Sequence, residues 1–281
     1  MSLENIDLSN HAAPIAIGGI GGSGTRLIAE ILIRLGIYMG EDINPARDNL
    51  WFTLLFKRVE LLDMPDDQFK ELITIFRVGM TRSRPLATPE IELLYNIAST
   101  NEWLGQRARS LASIQEAPDQ PKVWGWKEPN THIVIRRLLR FMPDIKYIHV
   151  MRNGLDMAYS ANQQQLKLWG PHFIGPECQS TPYYSLRYWH IINQRILELK
   201  HVMGTNCLLF SYDQFCHAPR AELEKLANFL GITLSREQIE SFAALVKPPE
   251  SIGRFKQYGL AAFHPDDIAF VKQLGFDTSL D

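Results

Sequence analysis

Cysteine is scarce in this chain. Cys178, Cys207 and Cys216 are the only three among 281 residues, they are far apart, and none forms a C-x-x-C pair. An odd, scattered set excludes a disulfide framework and suits a reducing compartment. The eight histidines include no H-E-x-x-H or comparable zinc spacing, so no metal is expected. Charge of one sign is also lacking: 29 basic against 31 acidic residues leave a net charge of −2. That balance gives no electrostatic footprint for nucleic acid or an anionic membrane. No apolar run approaches the roughly 18–20 residues that span a bilayer. The opening stretch MSLENIDLSNH is polar and acidic, unlike a secretory signal. There is no internal repeat and no low-complexity segment. With 46% hydrophobic and 21% charged residues, the composition is that of a soluble globular protein. A chain this long buries about three quarters of its unfolded surface without staples. The expectation is a cytoplasmic protein with a single domain over residues 1–281.

Hydrophobic patterning then orders the chain. Residues 14–19 read as a buried strand and 24–35 as a helix, with a second short strand at Ile37–Met39. Residues 46–118 change character. Leu50, Leu54, Leu55 and Leu61, then Phe69, Leu72, Ile73 and Phe76, recur at helical spacing. Pro65, Pro85 and Pro89 punctuate them, so the stretch reads as an all-helical insertion whose aromatic residues are core. Strand character returns at Val123–Trp126 and at Ile145–Val150, with helices over 131–141 and from Leu155. Segment 166–182, with Gly170, Pro171, Gly175, Pro176 and Pro182, reads as a long loop of the kind that forms a lid. A helix over 183–203, a strand over 207–211 and helices over 219–230 and 235–246 follow. Strands alternating with helices predict an α/β fold: a three-layer parallel sheet with P-loop-like topology and a helical insertion. Such sheets bind ligands beyond the carboxyl ends of their strands, here at loops 18–26, 127–132 and 151–156.

The densest signal is the first of these loops. Gly18, Gly19, Gly21, Gly22 and Gly24 fall within seven residues, interleaved with Ser23 and followed by Thr25, Arg26 and an apolar helix pattern. Glycines let backbone N–H groups approach an anion, and the helix N-terminus adds a positive dipole end. Three guests fit in principle. Gly19-x-Gly21-x-x-Gly24 matches a dinucleotide fingerprint, with Glu41 or Asp42 near the ribose position, but Ile28 stands where a small residue is needed. Gly19 and Gly24 also fit a Walker A frame, but the lysine and magnesium-binding hydroxyl are misplaced, which weakens a kinase reading. A phosphosulfate is the third.

Arg152 and Ser160 carry that third reading. Arg152 ends a strand, and Ser160, eight residues on, is placed by the pattern two helical turns along. Such a pair can hold one phosphate with a charge-assisted contact and a hydroxyl. Together with Ser23-Gly-Thr-Arg26, this resembles the sulfotransferases that use 3′-phosphoadenosine 5′-phosphosulfate, nearest to the tyrosylprotein and bacterial branches. Trp126-Lys-Glu-Pro129, Phe210-Ser-Tyr-Asp-Gln-Phe215 and Ser251-Ile-Gly-Arg-Phe255 are similar to further family elements in the same order. The resemblance runs from residue 15 to about 260.

It implies transfer of a sulfuryl group to an acceptor hydroxyl or amine, without a metal. The 5′-phosphosulfate would lie on Gly21, Gly22, Ser23, Gly24, Thr25 and Arg26. The 3′-phosphate would take Arg152, Ser160, Ser251 and Arg254, and Tyr212 would face the adenine. The family usually places Lys or Arg before Ser-Gly-Thr, and here that residue is Gly22. Lys127, with Arg26 behind it, is the compensating cation. The base maps to Asp42, with Glu41 in reserve. His132 and His149 read as structural, and Arg136, Arg137 and Arg140 as a solvated helix face. The acceptor, a small molecule, carbohydrate or peptide, and the oligomeric state are not legible.

Overall fold

The structure, a computed structural model, describes residues 13–99 and 101–281. The polar N-terminal stretch lies outside them. The chain divides into two compact units. One takes the residues up to Ile17 with Ile28–Tyr147, the other Gly18–Leu27 with Ile148–Asp281. The division runs through the first strand, the first helix and the third strand, so a single sheet supplies strands to both.

That sheet is parallel, with strand order β2-β1-β3-β4. β1 (Ile15–Gly19) pairs with β2 (Gly125–Lys127) in a register that sets Ile15 against Gly125 and Ile17 against Lys127. Both strands are buried on both faces, as a parallel sheet covered by helices demands. Between them lie α1 (Thr25–Arg34) and the insertion, built of α2 (Leu50–Phe56), α3 (Asp66–Thr81), α4 (Thr88–Ala98) and α5 (Glu102–Ala112). After β2 come α6 (Thr131–Leu138) and β3 (Lys146–Met151).

The insertion is helical because its apolar residues share faces. Phe69, Leu72, Ile73 and Phe76 of α3 are all buried. They meet α2 and β2 in an aromatic cluster, with Phe52 stacked on Trp126 at 5.4 Å and Phe76 edge-on to Trp126 at 5.3 Å. Such pairs contribute about 0.5–1.5 kcal/mol each beyond area burial. Ile37–Met39 is not a strand but a single bridge, Tyr38 to Trp124. Gly40 follows with φ of +100°, outside the extended region that a ladder needs. The Asn49 side chain donates to the Met39 carbonyl (3.0 Å) and caps α2 at Phe52 N–H (2.8 Å). Arg137 is not part of a solvated face. It donates to the carbonyls of Leu61 (2.8 Å) and Met64, pairs with Asp66 and lies 4.1 Å over the Phe69 ring.

The second unit holds α7 (Gly154–Ala158), α8 (Gln164–Phe173), α9 (Pro182–Met203), β4 (Cys207–Ser211), α10 (Tyr212–His217), α11 (Pro219–Leu230), α12 (Arg236–Ala243) and α13 (Pro265–Gln273). Its core gathers Leu155, Leu186, Trp189, Phe255, Phe270 and Val271. Two expectations change here. The helix after β3 is five residues long, so Ser160 lies beyond it rather than two turns along. Side chains end it: Arg254 donates to the Tyr159 carbonyl (2.9 Å), and Gln163 to those of Met157 (3.3 Å) and Ser160 (2.9 Å). Segment 166–182 is not one long loop. Leu166 and Trp169 are buried and anchor α8, and only 174–181 is irregular. The short α10 and the C-terminal α13 had no sequence expectation. His149 is core, as expected, and its Nε2 donates to Asn193 Oδ1 at 3.1 Å.

Candidate active site

In the second unit the glycine loop leaves β1 and enters α1. Gly22 and Gly24 have φ of +95° and +96°, the region that penalises side chains. A Cβ on Gly24 would lie 2.1 Å from Cδ2 of Tyr212, so the aromatic ring lies directly on the loop backbone. At Gly22 the space is open, with nothing within 4 Å of a Cβ. A side chain at position 22 would have room but would strain the backbone. Ser23 is 1% exposed, and its hydroxyl has no partner among the described residues. Thr25 is buried at the start of α1, and Arg26 is exposed one residue on. Turn amides, a buried hydroxyl and a helix N-terminus together form an anion cradle.

Arg152 follows β3, the strand beside β1. Its Nη2 donates to Ser251 Oγ at 2.6 Å, and its Nε is buried with no partner among the described residues. A part-buried guanidinium with donor capacity left suits an anion. Trp189 Nε1 donates to the Arg152 carbonyl (3.0 Å) and fixes the turn. Asn153 caps α7 through Leu155 N–H (3.0 Å), while its own N–H donates to Asp213 (3.0 Å). Burial pushes the Asp213 carboxyl up, opposed by the Asn153 N–H and Arg152. Asp156 is 2% exposed and accepts from the N–H groups of Gly253 (2.8 Å) and Phe255 (3.1 Å). It is the staple that ties Ser251–Phe255 to α7. The sequence flagged Asp156 only as motif spacing. Ser160 Oγ accepts from Asn162 N–H (3.2 Å), and one Arg254 nitrogen is taken by Tyr159. Burial pushes the Tyr212 hydroxyl pKa up, Cys216 adds to it, and Arg152 and Arg26 oppose it.

In the first unit Lys127 ends β2, 3% exposed. Its ammonium donates to Asp48 and to the Ala46 carbonyl (3.1 Å). Asn49 N–H donates to the Lys127 carbonyl (2.7 Å), so side chain and backbone are both held by segment 46–49. Glu41 pairs with Arg82 at 2.8 Å and Asp42 with Arg107 at 3.0 Å, each arginine belonging to the insertion. Burial pushes Asp42 up, and Arg107 and Ser110 lower it. Glu128, raised by burial, is held by Asn130. Sequence reasoning missed Asp48 altogether, because no motif marks it. Asn49 carried a signal, an Asn immediately before an apolar helix pattern.

A glycine-rich turn at the carboxyl edge of a parallel sheet, with a half-satisfied arginine after the next strand, is the place where α/β proteins bind their ligands. The family follows from the whole length. The profile of the sulfotransferase family matches residues 14–236, and this chain belongs to that family. Its class of reaction is sulfuryl transfer. Among solved structures, the sulfotransferase domain from the Synechococcus PCC 7002 olefin synthase is 17% identical with a TM-score of 0.51, over 98% of this chain and 100% of that one. The sulfotransferase domain from the curacin biosynthetic pathway is 16% identical with a TM-score of 0.49, over 95% and 99%. A mouse sulfotransferase complexed with PAP is 16% identical with a TM-score of 0.42, over 84% and 65%. These likenesses concern the fold. No curated protein matches. Among the described residues no helix is long and apolar enough to cross a membrane.

Proposed function

We infer that this chain transfers a sulfuryl group from 3′-phosphoadenosine 5′-phosphosulfate to the hydroxyl or amine of a small-molecule, carbohydrate or peptide acceptor in the cytoplasm. The observation that carries the donor assignment is Arg152, held by Ser251 with its Nε buried and unspent, on the strand next to the glycine cradle. One anion site on the loop and a second at Arg152 suit a nucleotide with both a 5′ and a 3′ acidic group. ATP or NAD leaves the second without use.

In this reading Gly21–Thr25 and Arg26 bind the 5′-phosphosulfate. Arg152, Ser251, Ser160 and Arg254 take the 3′-phosphate, and Tyr212 the nucleoside. Sulfuryl transfer resembles loose phosphoryl transfer: the sulfur–oxygen bond to phosphate breaks early and charge gathers on the leaving oxygen. Lys127 supplies positive charge for that oxygen, the role the family gives partly to the residue Gly22 replaces. The base is Asp42, with Glu41 in reserve.

Calorimetry with 3′-phosphoadenosine 5′-phosphate (PAP), ATP–magnesium and NAD tests the donor. PAP binds, and Arg152→Ala weakens PAP while sparing adenosine 5′-phosphosulfate. Tight ATP or NAD binding with none of PAP refutes the reading.

A further inference from the structure

The glycine turn is gripped from one side by the start of α8. Gln165 Nε2 donates to the Gly19 carbonyl at 3.3 Å, across 146 positions of sequence. Asn162 Nδ2 lies 3.3 Å from where a Cβ on Gly21 would be. Gln165 also lines a small cavity with Ile20 and Gly21. All these residues belong to the second unit. The gripping segment is itself held. Gln163 Oε1 accepts from Ser185 Oγ of α9 (2.9 Å), and Asn162 N–H donates to Ser160 Oγ (3.2 Å).

Two features set Gln165 apart from a packing residue. It is 7% exposed, yet its Oε1 has no partner among the described residues. Burying an amide with an acceptor unmet costs stability, so an apolar side chain would serve the core as well or better. The amide's one bond goes instead to the last residue of β1, where the turn begins. Position 19 requires glycine, because a Cβ there would lie 2.4 Å from the Val150 carbonyl oxygen. Without a side chain, the peptide after Gly19 has no local restraint. A peptide is planar and trans, so holding its carbonyl towards α8 points the Ile20 N–H the opposite way. The turn that follows is closed by Ser23 N–H on the Ile20 carbonyl (3.0 Å), so the amides of Gly21, Gly22 and Gly24 inherit that orientation. Given the donor reading above, we propose that Gln165 is a positioning residue for the 5′-phosphosulfate. It keeps the Gly19 carbonyl out of the anion cradle and sets the direction of the amides that line it.

The test separates the two ends of the nucleotide. PAP carries an acidic group at both the 5′ and the 3′ end, adenosine 3′-phosphate only at the 3′ end. Affinity for each is measured by calorimetry, with urea midpoints, for the wild type, Gln165→Met, Gln165→Glu and Gln164→Met. Gln164 is the exposed neighbour. Gln165→Met removes the unmet Oε1 and leaves the Gly19 carbonyl unmet, one acceptor for another, so its urea midpoint stays near wild type. It is expected to weaken PAP about 3–10-fold, the worth of one neutral hydrogen bond, and to leave adenosine 3′-phosphate within about twofold. Gln165→Glu turns an acceptor towards the Gly19 carbonyl and weakens PAP at least as much. Gln164→Met changes neither ligand. PAP affinity unchanged in both Gln165 variants, equal loss of both ligands, or the PAP loss appearing in Gln164→Met overturns the proposal. So does a Gln165→Met chain that does not fold, because exchanging one unmet acceptor for another predicts a folded protein. A wild type that binds adenosine 3′-phosphate as tightly as PAP overturns it too, since the turn then holds no 5′ group. A wild type that does not bind PAP defeats the donor reading instead.

Discussion

Asp156→Ala isolates the staple that connects the C-terminal segment to the nucleotide loop's neighbour. Asp156 accepts two backbone N–H groups, from Gly253 at 2.8 Å and Phe255 at 3.1 Å. Phe255 is fully buried, so its N–H has no route to water once the carboxylate is gone. Leaving it unsatisfied costs about 1–3 kcal/mol. Gly253 is part-exposed and regains solvent, so only the net worth of a charge-assisted bond is lost there, about 1–2 kcal/mol. Removing a charge that repels Asp213 returns a little. The sum is about 3 kcal/mol of stability, read by urea denaturation. The functional effect is separate. Ser251 is positioned by the stapled segment, and Ser251 holds the Arg152 guanidinium at 2.6 Å. Releasing the segment should weaken PAP by at least about tenfold, or 1.4 kcal/mol. Asp156→Asn keeps one acceptor oxygen and falls between wild type and alanine. An alanine variant with wild-type urea midpoint and wild-type PAP affinity refutes the argument, because both effects flow from the same two bonds.

Two further outcomes follow from single environments. His149 is completely buried, and burial holds its pKa down at about 4 against an ordinary 6.5, opposed by Asn193. With the folded value below the unfolded one, the unfolded chain takes the proton first. Stability is full above pH 6.5 and falls by about 3 kcal/mol as pH drops towards 4; urea midpoints of His149→Gln between pH 7 and 4.5 should lose that component of the slope. Arg137→Ala removes donors from two carbonyls and a cation over Phe69, so a loss of about 2–4 kcal/mol is expected in urea denaturation. An Arg137→Ala variant within 0.5 kcal/mol of wild type, a surface-like change, would return Arg137 to a solvated face.

The sequence by itself made most of the element types and the glycine-rich turn legible. Period-2 and period-3.6 hydrophobicity reports directly which faces are buried, so β1, β3, the insertion helices and the long α9 were readable. The glycines at 18–24 restrict what the loop can do, and their spacing with Arg152 carried the resemblance. Tertiary structure decided what required a partner distant in the chain. The turn after α7 is held by Gln163 nearby and by Arg254, nearly a hundred residues away, and the second contact has no local signal. Asp156 shows its purpose only once Gly253 and Phe255 are in place. Lys127 was legible as a lysine beside Glu128 and Pro129, but its counter-ion was not. Asp48 reaches it across 79 positions of sequence, through a loop whose shape rests on reciprocal Asn44 bonds and a left-handed Arg47. Local sequence fixes which backbone conformations and faces are favoured. Which charges meet is fixed by closing long loops, and that free energy is spread over the whole packed core.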